Sequence, residues 1–118
     1  MKEGKTIKWQ EIEPEIINTT EVKGVKKRIV IGEKEGASNF ILRVFTLSPG
    51  GYSPRHTHSW EHEVFVLNGE GKVLLGQEFS SISKGYAVFV PENVEHQFVN
   101  TSESNELEFI CVIPKGGQ

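Results

Sequence analysis

Nine short runs rich in Val, Ile and Phe, divided by glycine and proline, limit what this chain can fold into. They read TIKWQEI, KRIVIGE, FILRVFTLS, HEVFVLN, GKVLLG, EFSSIS, YAVFV, EHQFVN and ELEFICVI. Each has strand length, and no stretch sustains a helical period long enough for a major helix. Turn signals separate the runs: SPGG at Ser48 to Gly51, NGEG at Asn68 to Gly71, SKG at Ser83 to Gly85 and PEN at Pro91 to Asn93. Many short strands at close spacing imply an all-β antiparallel sandwich or barrel. EPEIINTTE, near the N-terminus, reads equally as a short helical turn or a loop.

Side-chain alternation assigns faces, because residues two apart in a strand point the same way. In the last run Leu107, Phe109, Cys111 and Ile113 share one face, and the charge on Glu108 marks the opposite face as the outer one. His96 and Phe98 likewise share a face opposite Gln97 and Val99. By the same rule His56 and His58 point together if their segment is a strand.

Composition removes some classes of partner. A 118-residue chain is expected to form one domain with one core. The net charge of −3 gives no reason to expect nucleic acid. The basic stretch Lys23 to Arg28 reads as a solvated approach to a strand. No apolar run approaches the roughly 20 residues that span a bilayer, so no membrane partner is expected. A single cysteine, Cys111, forbids an intrachain disulfide, and the first ten residues carry no apolar signal-type run. The expected location is therefore cytoplasmic.

The histidines carry the chemistry. Three of the four, His56, His58 and His62, fall within seven positions, and His96 follows beyond a hairpin's length of chain. Imidazole is the commonest protein ligand for first-row transition metals, so converging histidines suggest a metal site. The plainer alternative is four solvated or hydrogen-bonded side chains, and the clustering argues against it.

Two spaced motifs then make the chain resemble the cupin superfamily. The first cupin motif, G-x5-H-x-H-x3,4-E-x6-G, maps onto residues 50–69 through Gly50, His56, His58 and Gly69. The second, G-x5-P-x-G-x2-H-x3-N, maps onto residues 85–100 through Gly85, Pro91, Asn93, His96 and Asn100. Asn93 replaces a glycine, and asparagine is the next best residue for a positive-φ turn. EHEVFVLNGEG, GYAVFVPENVEH and FICVIPKGG are similar to the small four-histidine manganese cupins of thermophilic prokaryotes. The resemblance implies a single cupin domain over residues 1–118, folded as a jelly-roll β-barrel (a double-stranded β-helix).

The chain departs from the motif where a glutamate ligand is usual. His62 and Glu63 compete for that position, and as neighbours on a strand only one can face inward. The x6 spacing to Gly69 selects His62, leaving Glu63 as an outer-face or supporting residue. The expected ligand set is His56, His58, His62 and His96, holding one divalent ion. The resemblance favours Mn or Fe, while imidazole donors also permit Cu, Ni or Zn.

Phe98, Phe109, Cys111 and Ile113 are expected to line an apolar pocket beside the metal, with Tyr52, Arg55 and Trp60 at its rim. The expected activity is a dioxygenase-like oxidation of a small apolar or chelating organic substrate. A metal-dependent isomerase or lyase without redox chemistry, and a non-catalytic module that binds a small molecule, are the alternatives. A homodimer is expected, because Phe65 and Leu67 read as outward and apolar and the segment Ile7 to Ile12 can add a strand to a partner.

Overall fold

Strands form where β-branched and aromatic residues alternate with polar ones. The computed structural model describes residues 2–117, and no α-helix occurs among them. The strands are β1 (Glu15–Ile17), β2 (Lys23–Ile31), β3 (Phe40–Tyr52), β4 (His62–Asn68), β5 (Glu70–Leu75), β6 (Glu78–Ser83), β7 (Ala87–Val90), β8 (His96–Asn100) and β9 (Leu107–Pro114). Every pairing between them is antiparallel. One layer runs β1-β2-β3-β9-β4-β7 and the other runs β6-β5-β8. The result is the expected all-β jelly roll.

β3 belongs to both layers. Residues Phe40 to Leu47 pair with β9, and Tyr52 pairs with Val99 of β8. To change layers the strand has to bend, and SPGG provides the bend. The expectation of a chain-reversing turn there is corrected: the segment is an irregularity inside β3, with Gly50 at φ 72°. A side chain on Gly51 would meet the Lys23 carbonyl at 2.7 Å, so only glycine permits the close pass.

Two further expectations change at the N-terminus. TIKWQEI does not form a strand; Trp9–Glu11 is a single 3₁₀ turn. Arg28 holds it, donating from Nε to the Ile12 carbonyl at 2.7 Å with its guanidinium over the Trp9 ring. That contact ties the segment to its own chain. EPEIINTTE contains β1, which pairs with β2.

The core lies between the layers. Ile41, Leu47, Val66, Val90, Leu107 and Ile113 are almost completely buried, and each such side chain contributes about 1.5–3 kcal/mol by leaving water. β9 shows the expected parity, with Leu107, Phe109, Cys111 and Ile113 buried and the residues between them half-buried. Asn93 takes φ 62°, the positive value expected where the motif has glycine.

Asn100, the last residue of the second motif, is a buried polar tie. Its amide donates to the carbonyls of Leu47, Ser48 and Asn105 at 2.8–3.1 Å, and its side-chain oxygen accepts from the Ser102 N–H. Replacing Asn100 by Ala would strand these groups in a buried site. The variant is expected to lose about 3 kcal/mol of stability, read as a lower urea midpoint; a loss below about 0.5 kcal/mol would contradict this role.

Candidate metal centre

Past Tyr52 the chain leaves β3 and runs irregularly to β4, carrying His56 and His58. The expectation that these two share one strand face is corrected. Pro54 supplies no N–H for a ladder, and His56 makes only an isolated bridge to His96. That bridge has two backbone hydrogen bonds, His56 N–H to the His96 carbonyl at 3.2 Å and His96 N–H to the His56 carbonyl at 2.9 Å. A third, from Asn93 N–H to the His58 carbonyl at 2.6 Å, fixes the second histidine. The loop is thus laced to the start of β8.

The rings converge despite the irregular backbone. Ring centroids lie 4.1 Å apart for His56 and His58, 4.8 Å for His56 and His96, and 5.3 Å for His58 and His96. Donor nitrogens of His56, His58 and His96 all lie within 4.8 Å of one another, a trio able to hold one divalent ion. His62 opens β4 and is outside that trio, with its ring 5.1 Å from His58 and 4.9 Å from His96. Strand alternation buries His62 and turns Glu63 to the outer surface.

The tautomer of His96 can be assigned from its partner. His96 Nδ1 lies 2.9 Å from the Val94 carbonyl, so it carries the proton and Nε2 keeps its lone pair. His62 Nδ1 lies 3.3 Å from Cys111 Sγ, a thiol that can donate or accept, and Nε2 is the ring nitrogen left for another partner. Both Nε2 atoms are buried with no hydrogen-bond partner among the described residues. Buried polar atoms are rarely left unpaired. Lone pairs converging in one place fit a metal ion, so the residues present suit the group that the histidine pattern implies.

Burial also holds three of the imidazoles neutral. His56 is lowered to about 4, by desolvation first and then by His58, His96 and Arg43. His62 is lowered to about 3, by desolvation first and then by His96 and Arg43. His58 is lowered by desolvation, His96 and Arg43. Near neutral pH these rings are unprotonated, the state a metal requires.

A cavity of about 300 Å³ opens on the cluster. All four histidines line it, as do Phe98, Phe109 and Cys111 from the expected pocket set. Ile113 does not line it: it is buried in the core two residues further along β9. Trp60 is a wall rather than a rim, stacked on His58 at 4.5 Å with the planes 7° apart. Arg55 sits outside in an exposed pair with Glu95 at 3.3 Å, and Tyr52 is not among the lining residues.

Sequence reasoning missed Arg43, Lys27, Phe45, Val22 and Val25, all of which line the cavity. The expectation of an apolar pocket is corrected by Arg43 and Lys27, two cations in its lining. The signal for Arg43 was present: Ile41, Arg43, Phe45 and Leu47 share one face of FILRVFTLS, a lone cation in an apolar row. Val22 and Val25 were harder to find, because a bulge between Lys23 and Val25 breaks the parity of β2.

The lowered histidines have a consequence for stability. In the unfolded chain imidazole takes up a proton near pH 6.5, while His56 and His62 in the fold resist until about 4 and 3. The unfolded state therefore binds more protons across that window, and stability falls as pH drops. The urea midpoint of metal-free protein is expected to hold steady above about pH 6.5 and to decline toward pH 4. A midpoint unchanged between about pH 7 and pH 4.5 would contradict neutral buried histidines.

Comparison with known proteins follows the same lines. The sequence profile described as "Cupin domain" matches residues 43–113. The chain superposes on the polyketide cyclase RemF of Streptomyces resistomycificus with a TM-score of 0.86 at 31% identity, covering 95% of this chain and 80% of that one. A predicted oxalate decarboxylase of Thermotoga maritima gives 0.82 at 28% identity, covering 94% and 99%. Among curated sequences, 1-methylthio-D-xylulose 5-phosphate methylsulfurylase of Rhodospirillum rubrum is 32% identical over 72 residues, 61% of this chain and 46% of that protein. The chain thus spans about half the length of that curated relative.

Proposed function

The chain belongs to the cupin domain family, and from that premise we propose that it is a mononuclear metal-dependent enzyme acting on a small, chelating, carbonyl-bearing organic substrate. One observation carries the reading. The buried side-chain nitrogens left without partners among the described residues, on Arg43, Trp60, His62 and His96, belong to residues lining the same cavity. A core that leaves such atoms unpaired only there has shaped that place for something else to bind.

The proposed ligand set is all four histidines, with His62 joining the trio through its free Nε2. Imidazole donors suit Mn or Fe, the ions expected from resemblance to four-histidine manganese cupins. A bound divalent ion would supply Lewis acidity to substrate oxygens. The protein's own residues do the rest. Neutral imidazoles leave the ion's charge uncompensated, which favours electron-rich oxygen ligands. Phe98 and Phe109, stacked at 4.5 Å, with Trp60 across the cavity, exclude water and hold the organic body. Names among the relatives, a polyketide cyclase and a predicted oxalate decarboxylase, support a carbonyl-rich substrate and chemistry without net oxidation.

The oxygenase reading stands second, favoured by the apolar wall of Phe45, Phe98 and Phe109 beside redox-compatible imidazole donors. The homodimer belongs to the proposal as well. Phe65 and Phe89 stand exposed on one face of β4 and β7, while Leu67 is half-buried and adds less.

Metal titration tests the centre, and exchange chemistry tests the activity. Wild-type protein is expected to bind one Mn²⁺ per chain by calorimetry. His58→Ala is expected to weaken binding by about 100-fold or more, and Glu63→Gln by less than about threefold. Metal-loaded protein should also speed hydrogen–deuterium exchange beside the carbonyl of 2-oxo acids or β-keto esters, and His58→Ala should not. Loss of metal in Glu63→Gln with retention in His62→Ala would overturn the ligand set. Oxygen uptake without exchange would move the activity to the second reading.

A further inference from the structure

Arg43 lies in the middle of β3, opposite Cys111 of β9 and Ile29 of β2, with 8% of its surface exposed. A cation taken so far from water is expensive unless a counter-charge receives it. None does so among the described residues, where the ion pairs are Arg55 with Glu95 and Lys115 with Glu33. Nη2 of Arg43 donates to Cys111 Sγ at 3.1 Å, the Phe45 ring lies 4.9 Å from its Cζ, and its Nε–H has no acceptor. Sulfur is a weak acceptor and no match for a carboxylate. The Trp60 Nε1–H, on another wall of the same cavity, also lacks an acceptor.

Two N–H donors without acceptors, one of them on a buried cation, define what is missing. Resting on the metal-enzyme reading above, we infer that the cavity selects an organic anion, and that Arg43 is the residue positioning its carboxylate or enolate. A guanidinium presents parallel N–H groups that match a carboxylate edge, and in a dry cavity such charge-assisted bonds are strong. Phe98 and Phe109 then receive the apolar part. At about 300 Å³ the space suits a compact body, such as one aromatic ring bearing an acid group. A purely structural Arg43 would need only its contacts to Cys111 and Phe45, and any preference for charge would then come from Lys27 and survive its replacement.

The test uses benzoate and its neutral isostere benzamide on the metal-free full-length chain at about pH 8, above the usual imidazole range. Binding is read by ligand-detected NMR titration. Wild-type protein is expected to prefer benzoate by about tenfold or more, the size of one charge-assisted interaction. Arg43→Met should abolish the preference and Arg43→Lys should keep part of it, with circular dichroism checking that each variant is folded. If Arg43→Met does not fold, Arg43→Gln, which keeps polar N–H donors without the charge on a shorter side chain, must lose the preference instead. Equal binding of the two probes, no binding of benzoate at millimolar concentration, or a preference surviving in a folded uncharged variant would overturn the inference. A separate Mn²⁺ titration keeps the two readings apart. Wild-type protein that takes up no metal yet prefers benzoate would sink the metal centre and leave the anion site standing.

Discussion

Two backbone hydrogen bonds between His56 and His96 join the two halves of the site, and the rest of its geometry depends on them. Without them the segment from Ser53 to Glu61 would be a loop carrying two histidines on a looser tether. Further ties reinforce the pair. Ser53 N–H donates to the Phe98 carbonyl, Phe98 N–H donates to Ser53 Oγ, and the Gln97 side chain donates to the Ser53 carbonyl. These contacts exist because β3 bends at Gly50 and Gly51 to leave one layer and meet β8 in the other. The glycines of the first motif therefore position histidines that they never touch. Gly69 does similar work at the motif's other end, where φ is 89° and a side chain would meet the Glu106 carbonyl at 2.2 Å.

The cavity concentrates unsatisfied chemistry in an otherwise satisfied core. Asn100, buried just as deeply, has all its hydrogen bonds made within the protein. The polar atoms of His62, His96, Trp60 and Arg43 do not. Both electrostatic features of the site follow from dehydration. It keeps His56, His58 and His62 neutral, and it leaves the Arg43 charge poorly screened, so that charge acts on those three rings. Lone pairs and uncompensated positive charge side by side suit a metal ion together with an electron-rich substrate.

Much of this was legible in the sequence, and the failures share a cause. Alternation let only one of His62 and Glu63 face inward, the x6 spacing to Gly69 chose His62, and alternation placed Phe109 and Cys111 inward on β9, because the strands are regular over those residues. Asn93 was legible from turn chemistry. Where the backbone leaves the strict two-residue period, the sequence pattern misleads. SPGG reads as a turn because isolated glycine and proline carry no information about the neighbouring β2 that keeps them in a strand. His56 and His58 converge through loop geometry rather than a shared strand face. Ile113 shares the inward face with Cys111 yet does not line the cavity, since parity gives direction and not depth. Arg43 was legible too, as the lone cation in the apolar row of Ile41, Phe45 and Leu47.

Crystals soaked in Mn²⁺ and measured at the manganese absorption edge test the central claim most directly. The expected result is one anomalous peak per chain among the four rings, about 2.0–2.3 Å from nitrogens of His56, His58 and His96. His62 Nε2 is expected as the fourth ligand. A peak bonded to Glu63, or crystals with no peak among the histidines, would contradict it.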